Sequence, residues 1–137
     1  MRSYGWLHER DDTGPMLVER YRDDFRRATL RLAKHYADTG EVERAVPLYR
    51  RLLCDEPTDE EVVRELFHAY ARLGDLGALV REEQHLRQAL RRAQLAAYGD
   101  GAGDTMPAAP QRQTTAAFEE LRAALEQVDQ VRVPVAA

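Results

Sequence analysis

The side chains that could act as nucleophiles are few, and their positions do not suggest a catalytic site. The chain has one cysteine, Cys54, and one serine, Ser3, which lies next to the N-terminus. Nucleophilic catalysis needs such a group beside a general base. Cys54 directly follows two leucines near a predicted helix end, where a free cysteine usually behaves as a small buried hydrophobe. We therefore predict that the chain is not an enzyme.

Metal and cofactor chemistry lack the residue patterns that they need. The histidines are His8, His35, His68 and His85. None pairs with another at i, i+4 on one helix, which is the spacing of a helical metal site. His68 and His85 could approach each other in a helical stack, but no cysteine or carboxylate cluster joins them. There is also no glycine-rich phosphate loop after a strand. We expect neither a metal nor a cofactor.

Composition restricts the partners and the location. The chain of 137 residues has a net charge of −4, which disfavours direct DNA binding by this domain alone because DNA affinity depends on neutralising phosphates. No apolar run reaches the roughly 18 residues of a membrane span. Residues 1–10 lack the apolar segment of a signal peptide, and a single cysteine allows no internal disulfide. The prediction is a cytoplasmic protein without membrane contact.

A repeat organises the middle of the chain. The run Leu32-Ala33, Tyr36-Ala37 and Gly40 returns as Leu66-Phe67, Tyr70-Ala71 and Gly74, 34 positions later. That period is typical of a tetratricopeptide helix–turn–helix repeat. A single hairpin cannot cover its own apolar face, so neighbouring helices must stack on it. The sequence therefore predicts an all-α fold of tetratricopeptide-like stacked helical hairpins with about five helices.

Local signals place the segments around the repeat. Pro15 suits the first turn of a long first helix, whose apolar stripe has helical spacings: Leu17, Tyr21, Phe25, Ala28, Leu32 and Tyr36. Thr58 with Glu61 predicts a capping box for the third helix, and Thr114 or Thr115 is predicted to cap the last. The predicted segments are an N-terminal lid and turn carrying Trp6 (1–14), the helical repeats (15–98), a flexible loop (99–113), a C-terminal packing helix (114–129) and a tail (130–137).

The first helices of stacked repeats line a concave surface, and here those helices carry basic residues. The predicted groove contains Arg27, Lys34, Arg64, His68 and Arg72, with Leu30 among them. Such a groove would suit an acidic peptide or another carboxylate-bearing segment of a partner. The alternative is that these cations pair with Asp38, Glu61 or Glu65, or hold a neighbouring domain. If the groove binds a partner, replacement of Arg64 and Arg72 by Glu should abolish that binding and leave the fold intact. Unchanged affinity would contradict the groove hypothesis.

The same residues resemble the bacterial transcriptional activator domain of actinobacterial antibiotic regulatory proteins. The resemblance covers about residues 6–126 and is carried by several runs: Glu19-Arg20-Tyr21-Arg22, Ala28 to Ala33, Gly40 to Ala45, Leu52 to Glu61, Ala69 to Asp75 and Thr115 to Leu125. General tetratricopeptide proteins share the Gly, Ala and Pro landmarks. The long fourth helix, the spacer and the final helix favour the regulator module.

The resemblance implies a protein–protein interaction module of a transcriptional regulator, which supports dimerisation or contact with the transcription machinery. The implied partner is a protein: its own copy, a fused DNA-binding domain or that machinery. In the family the module follows a winged-helix domain, so we expect either a piece of a longer regulator or a stand-alone form. The family has no catalytic residues to carry over. The alternative is a generic tetratricopeptide adaptor unrelated to transcription.

Overall fold

A computed structural model describes residues 14–99 and 108–132. These residues form five α-helices and no strands: α1 Gly14–Asp38, α2 Val42–Asp55, α3 Glu60–Arg72, α4 Leu76–Tyr98 and α5 Arg112–Arg132. Helices α1 and α2 form one hairpin, α3 and α4 form a second, and the hairpins stack through α2 and α3. The predicted all-α fold is confirmed. Most of the segments predicted as an N-terminal lid, a flexible loop and a tail lie outside the described residues.

Two matching turns show how the repeat period produces the fold. Gly40 and Gly74 follow α1 and α3 with φ values of +88° and +70°, a conformation that glycine adopts without steric cost. In the first turn the Glu41 N–H donates to the Tyr36 carbonyl at 2.8 Å, and in the second the Asp75 N–H donates to the Tyr70 carbonyl at 3.0 Å. These bonds complete the same helix C-terminal motif in both copies.

Carboxylates cap the N-termini of the second hairpin. The Asp75 side chain accepts a hydrogen bond from the Ala78 N–H at the start of α4, and Asp59 accepts one from the Val62 N–H at the start of α3. The capping box predicted from Thr58 and Glu61 is wrong. Asp59 lies one residue closer to the helix, and its short carboxylate reaches the free N–H groups of the first turn.

The core lies between the two hairpins. Its most deeply buried members are Ala33, Ala45, Tyr49, Val62, Leu66, Phe67, Leu79 and Leu86. One position of the repeat differs between the copies: Leu66 is fully buried, whereas its equivalent Leu32 is 45% exposed. The reason is that α2 packs against α3, whereas among the described residues no preceding hairpin packs against α1.

Helix α5 forms a third layer on α3 and α4, as the sequence predicted. The rings of Phe67 and Phe118 pack with centroids 5.6 Å apart, and Leu125 is also buried. Thr114 and Thr115 do not cap the helix, because α5 already begins at Arg112 and both threonine N–H groups donate to the Gln111 carbonyl. Thr114 is instead a buried residue of the first turn.

Candidate functional site

An open hollow of about 640 Å³ lies along α1, where the start of α3 approaches it. Its lining is almost entirely charged: Asp23, Arg26, Arg27, Leu30, Arg31, Lys34, His35, Asp38 and Glu61. Leu30 is the one aliphatic member of this lining, and it is buried in the core. The hollow therefore offers charged side chains around a small apolar base, which suits a polar segment of a partner better than an apolar one.

An ion-pair cluster joins the two helices that border this hollow. Arg26 of α1 donates from Nε to Asp59 Oδ2 at 2.6 Å and from Nη2 to Asp59 Oδ1 at 3.1 Å. Its Nη2 also lies 3.3 Å from Glu61 Oε1. The hydrogen bond to Asp59 is the main reason that the pKa of Arg26 is raised above its ordinary value. Arg26 is therefore held by the protein, and it positions α1 against α3.

Three other cations of α1 face the hollow with weak or no partners. Arg27, Arg31 and Lys34 follow one another at spacings of four and three residues, which places them on one side of the helix. Lys34 Nζ lies 4.0 Å from Glu65 Oε1. Within residues 14–99 and 108–132, Arg27 and Arg31 form no ion pair with any carboxylate. These guanidinium groups are available to an anionic ligand.

The five predicted groove residues do not share this hollow. Arg27 and Lys34 line it, and His68 is exposed on α3. Arg64 donates from Nη1 to Thr114 Oγ1 at 2.8 Å and to Gln111 Oε1 at 3.2 Å, so it contacts α5. Arg72 donates to the Ala37 carbonyl at 2.6 Å and borders a different hollow beside Glu41. The acceptors of Arg64 and Arg72 are none of the carboxylates named in the alternative, whereas Lys34 lies 4.0 Å from one of them, Glu65.

The sequence analysis did not select Arg31, which faces the hollow between Arg27 and Lys34. The sequence could have predicted Arg31, because it follows Arg27 by one helical turn and so lies on the same side of α1. Of the acidic members of the lining, Asp23 was also missed, and Asp38 and Glu61 were considered only as ion-pair partners of the predicted groove. They balance part of the positive charge, so the hollow is less basic than the predicted groove.

A second, smaller hollow of about 190 Å³ contains Cys54, His85 and Glu82. Cys54 is exposed, and the expectation of a buried thiol is wrong, because Cys54 lies roughly 200° around α2 from the buried Leu52. His85 Nδ1 is 3.9 Å from Glu82 Oε2, which is too long for a hydrogen bond. Among the described residues, no group of three or more His, Cys, Asp or Glu side chains is placed to hold a metal ion.

One of the comparisons with known proteins agrees with the resemblance seen in the sequence. None of the described helices is long and apolar enough to cross a membrane. No curated protein and no solved structure matches the chain. The family model of the bacterial transcriptional activator domain matches residues 9–96, which is more than half of the chain. The chain therefore belongs to the bacterial transcriptional activator domain family, a family of transcription-regulatory modules.

Proposed function

We propose that this domain is a protein–protein interaction module of a cytoplasmic transcription regulator, supporting dimerisation or contact with the transcription machinery. For the second role, its binding surface is the hollow along α1, and its ligand is an acidic segment of that machinery. The observation that carries this proposal is the set of cations on one side of α1, Arg27, Arg31 and Lys34, which face the hollow. No enzymatic activity is proposed.

Electrostatics explains what such a surface recognises. An acidic segment would exchange its water contacts for guanidinium hydrogen bonds, and charge-assisted bonds of this kind are roughly twice as strong as neutral ones. The carboxylates Asp23, Asp38 and Glu61 in the same lining repel a ligand of uniform negative charge. They favour a segment whose acidic groups are spaced to meet the arginines. Binding should weaken as salt increases, since the site is open to solvent.

The test applies RNA polymerase purified from the host to the immobilised full chain. The double variant Arg27→Glu, Lys34→Glu should lose binding, because it reverses two cations of the hollow. A matched control is Arg91→Glu, Arg92→Glu, which makes the same change of net charge on the exposed side of α4. The control should keep wild-type binding. Both variants should have the circular dichroism and unfolding midpoint of the wild type.

Two results would contradict the proposal. Equal loss of binding in both double variants would mean that net charge alone, not the hollow, attracts the polymerase. Absence of binding by the wild type at low salt would remove the transcription machinery as the partner of this surface. In that case the alternative of a generic tetratricopeptide adaptor gains support, and an acidic synthetic peptide would be the next probe for the hollow.

A further inference from the structure

A second surface of α1, distinct from the hollow, is apolar and exposed. Six of the ten exposed large hydrophobic side chains of the described residues belong to this one helix: Met16, Leu17, Val18, Tyr21, Phe25 and Leu32. Tyr21 is the most open of them, with 75% of its surface accessible. Scattered single hydrophobes are normal at a protein surface, whereas a concentration along one helix marks an interaction site.

The spacing of these residues is that of a coiled-coil seam. Val18, Tyr21, Phe25, Ala28 and Leu32 alternate steps of three and four residues, so they occupy successive a and d positions of a heptad. All five are exposed. Leu30, which takes the outer f position of this heptad, is instead buried in the core. The seam therefore lies on a different side of α1 from the core, and its edge reaches α2, where the Arg51 guanidinium carbon lies 5.9 Å from the Phe25 ring centroid. We name these five residues the α1 seam.

The position of the α1 seam in the stack explains why it is uncovered. Helix α2 packs against α3 at the junction of the hairpins, and α5 covers the open side of α3 and α4. Among the described residues, no third helix packs extensively against α1 beyond its hairpin partner α2. Stacked helical repeats need a capping element at each end because every repeat exposes an apolar face. Within residues 14–99 and 108–132, the α1 seam is therefore the uncapped end of this stack.

We infer that a second copy of this chain packs antiparallel along the α1 seam. In an antiparallel pair a positions meet d positions of the other helix, so Phe25 of each copy would lie opposite Ala28 of the other. Tyr21 would lie opposite Leu32 in the adjacent layers. Each layer then combines a larger side chain with a smaller one, which favours close packing. A parallel pair would instead stack Phe25 on Phe25 and Ala28 on Ala28.

Charge complementarity supports the same register. Asp24 and Arg31 occupy the g positions that flank the seam, and g positions face each other in an antiparallel pair. Asp24 of each copy would therefore lie beside Arg31 of the other, which gives two ion pairs related by the two-fold axis. Among the described residues neither side chain has an ion-pair partner within its own chain. In a parallel pair Asp24 would face Thr29.

The inference specifies the dimerisation part of the proposed function, on which it rests. The α1 seam shares its flanking residue Arg31 with the lining of the hollow, but the polymerase test changes only Arg27 and Lys34, so the two tests can fail independently. The experiment is sedimentation equilibrium of the full chain over a wide range of concentration. The wild type should change from the monomer mass of 15.7 kDa to twice that mass as concentration increases. Asp24→Arg and Arg31→Asp should each raise the concentration needed for dimerisation at least tenfold. The double variant Asp24→Arg, Arg31→Asp should dimerise at the concentration of the wild type.

The control is Glu19→Arg, which makes the same charge change as Asp24→Arg but lies outside the α1 seam, its flanking positions and the lining of the hollow. It should dimerise like the wild type. A monomer at every concentration would overturn the inference, as would a double exchange that fails to restore the dimer. If that monomer also changes its Trp6 emission when Tyr21 is replaced by Arg, the occupant of the seam is the segment around Trp6 of the same chain.

Discussion

Arg26 and Asp59 connect the two hairpins through two hydrogen bonds of 2.6 and 3.1 Å. Asp59 has a second role, since it also accepts from the Val62 N–H and caps α3. Its side chain is only 12% exposed, whereas Glu61, the other carboxylate near Arg26, is 49% exposed. One carboxylate thus begins α3 and fixes the position of α1 relative to it.

The first prediction concerns these two carboxylates. Asp59→Ala removes the cap and the ion pair, and should lower the free energy of unfolding by about 2 kcal/mol. Asp59→Asn keeps a capping oxygen and should cost about half as much. Glu61→Gln should cost less than about 0.5 kcal/mol because its pair is exposed. Urea unfolding monitored by circular dichroism measures all three. An equal cost for Asp59→Ala and Glu61→Gln would show that Asp59 has no special role.

The second prediction uses the three glycines near the repeat turns. A Cβ at Gly40 or Gly74 would meet no atom within 4 Å, so only the positive φ opposes a side chain there. Gly40→Ala and Gly74→Ala should each destabilise the domain by about 1 kcal/mol. Gly77→Ala is the matched control, because Gly77 lies inside α4 and alanine should stabilise a helix by about 0.5–1 kcal/mol there. Stabilisation by Gly40→Ala in thermal unfolding would contradict this account.

The third prediction concerns Tyr49, whose hydroxyl is buried and has no hydrogen-bond partner. A buried donor without a partner is unfavourable. Tyr49→Phe should therefore keep the stability of the wild type at neutral pH or increase it by up to about 1 kcal/mol. Tyr70→Phe is the comparison, because the Tyr70 hydroxyl accepts a hydrogen bond from Arg50 at 3.4 Å. Loss of that bond should destabilise the domain slightly in the same urea titration.

Alkaline pH provides a separate test of Tyr49. Burial raises the pKa of Tyr49 from 10.0 to about 12. The phenolate then forms at lower pH in the unfolded chain than in the folded one, which favours unfolding. The free energy of unfolding is therefore unaffected by Tyr49 below pH 10 and falls as the pH rises from 10 through 12. The loss amounts to at most about 3 kcal/mol. Tyr49→Phe should lose less stability than the wild type over this interval. Parallel curves for the two proteins would contradict the raised pKa.

The repeat period was sufficient to predict much of the fold. Gly40 and Gly74 identify the two turns because each needs a positive φ, and the flanking Leu, Tyr and Ala positions then identify the inward helix faces. The repeat pattern did not predict the exposure of Leu32. A periodic pattern shows which side of a helix is apolar, but it does not show whether a neighbouring helix is present to bury that side. Leu32 and Leu66 have the same repeat position and different environments.

The candidate site could be predicted less well, for a physical reason. Arg27 and Lys34 belong to the same helix as the hollow, so helical spacing alone places them together. Arg64 and Arg72 come from the second copy, and their long side chains turn toward whichever acceptor is nearest. For Arg72 that acceptor is the carbonyl of Ala37. Every residue has a backbone carbonyl, so no sequence pattern predicts which one accepts this hydrogen bond. Long-range contacts of this kind depend on helix packing, which the sequence does not reveal directly.

The last prediction concerns Arg64, which the sequence analysis placed in the partner groove. Arg64 and the buried Glu60, one turn earlier on α3, both hold the start of α5: Glu60 Oε1 accepts from the Gln111 N–H at 2.7 Å, and Arg64 donates to Thr114 Oγ1. Arg64→Met should therefore destabilise the domain by about 1–2 kcal/mol. It should also increase amide hydrogen exchange in the first turns of α5 more than in α1 or α2.

Arg72→Met is the control for this prediction, since its hydrogen bond to Ala37 lies at the surface and it makes no described contact with α5. In the Arg72→Met variant, amide hydrogen exchange in α5 should match that of the wild type. If Arg64→Met abolishes polymerase binding while exchange in α5 stays unchanged, Arg64 belongs to a binding surface after all. If exchange in α5 rises and binding by the hollow persists, Arg64 is a structural residue. The interaction surface is then confined to α1, where Arg27 and Lys34 lie.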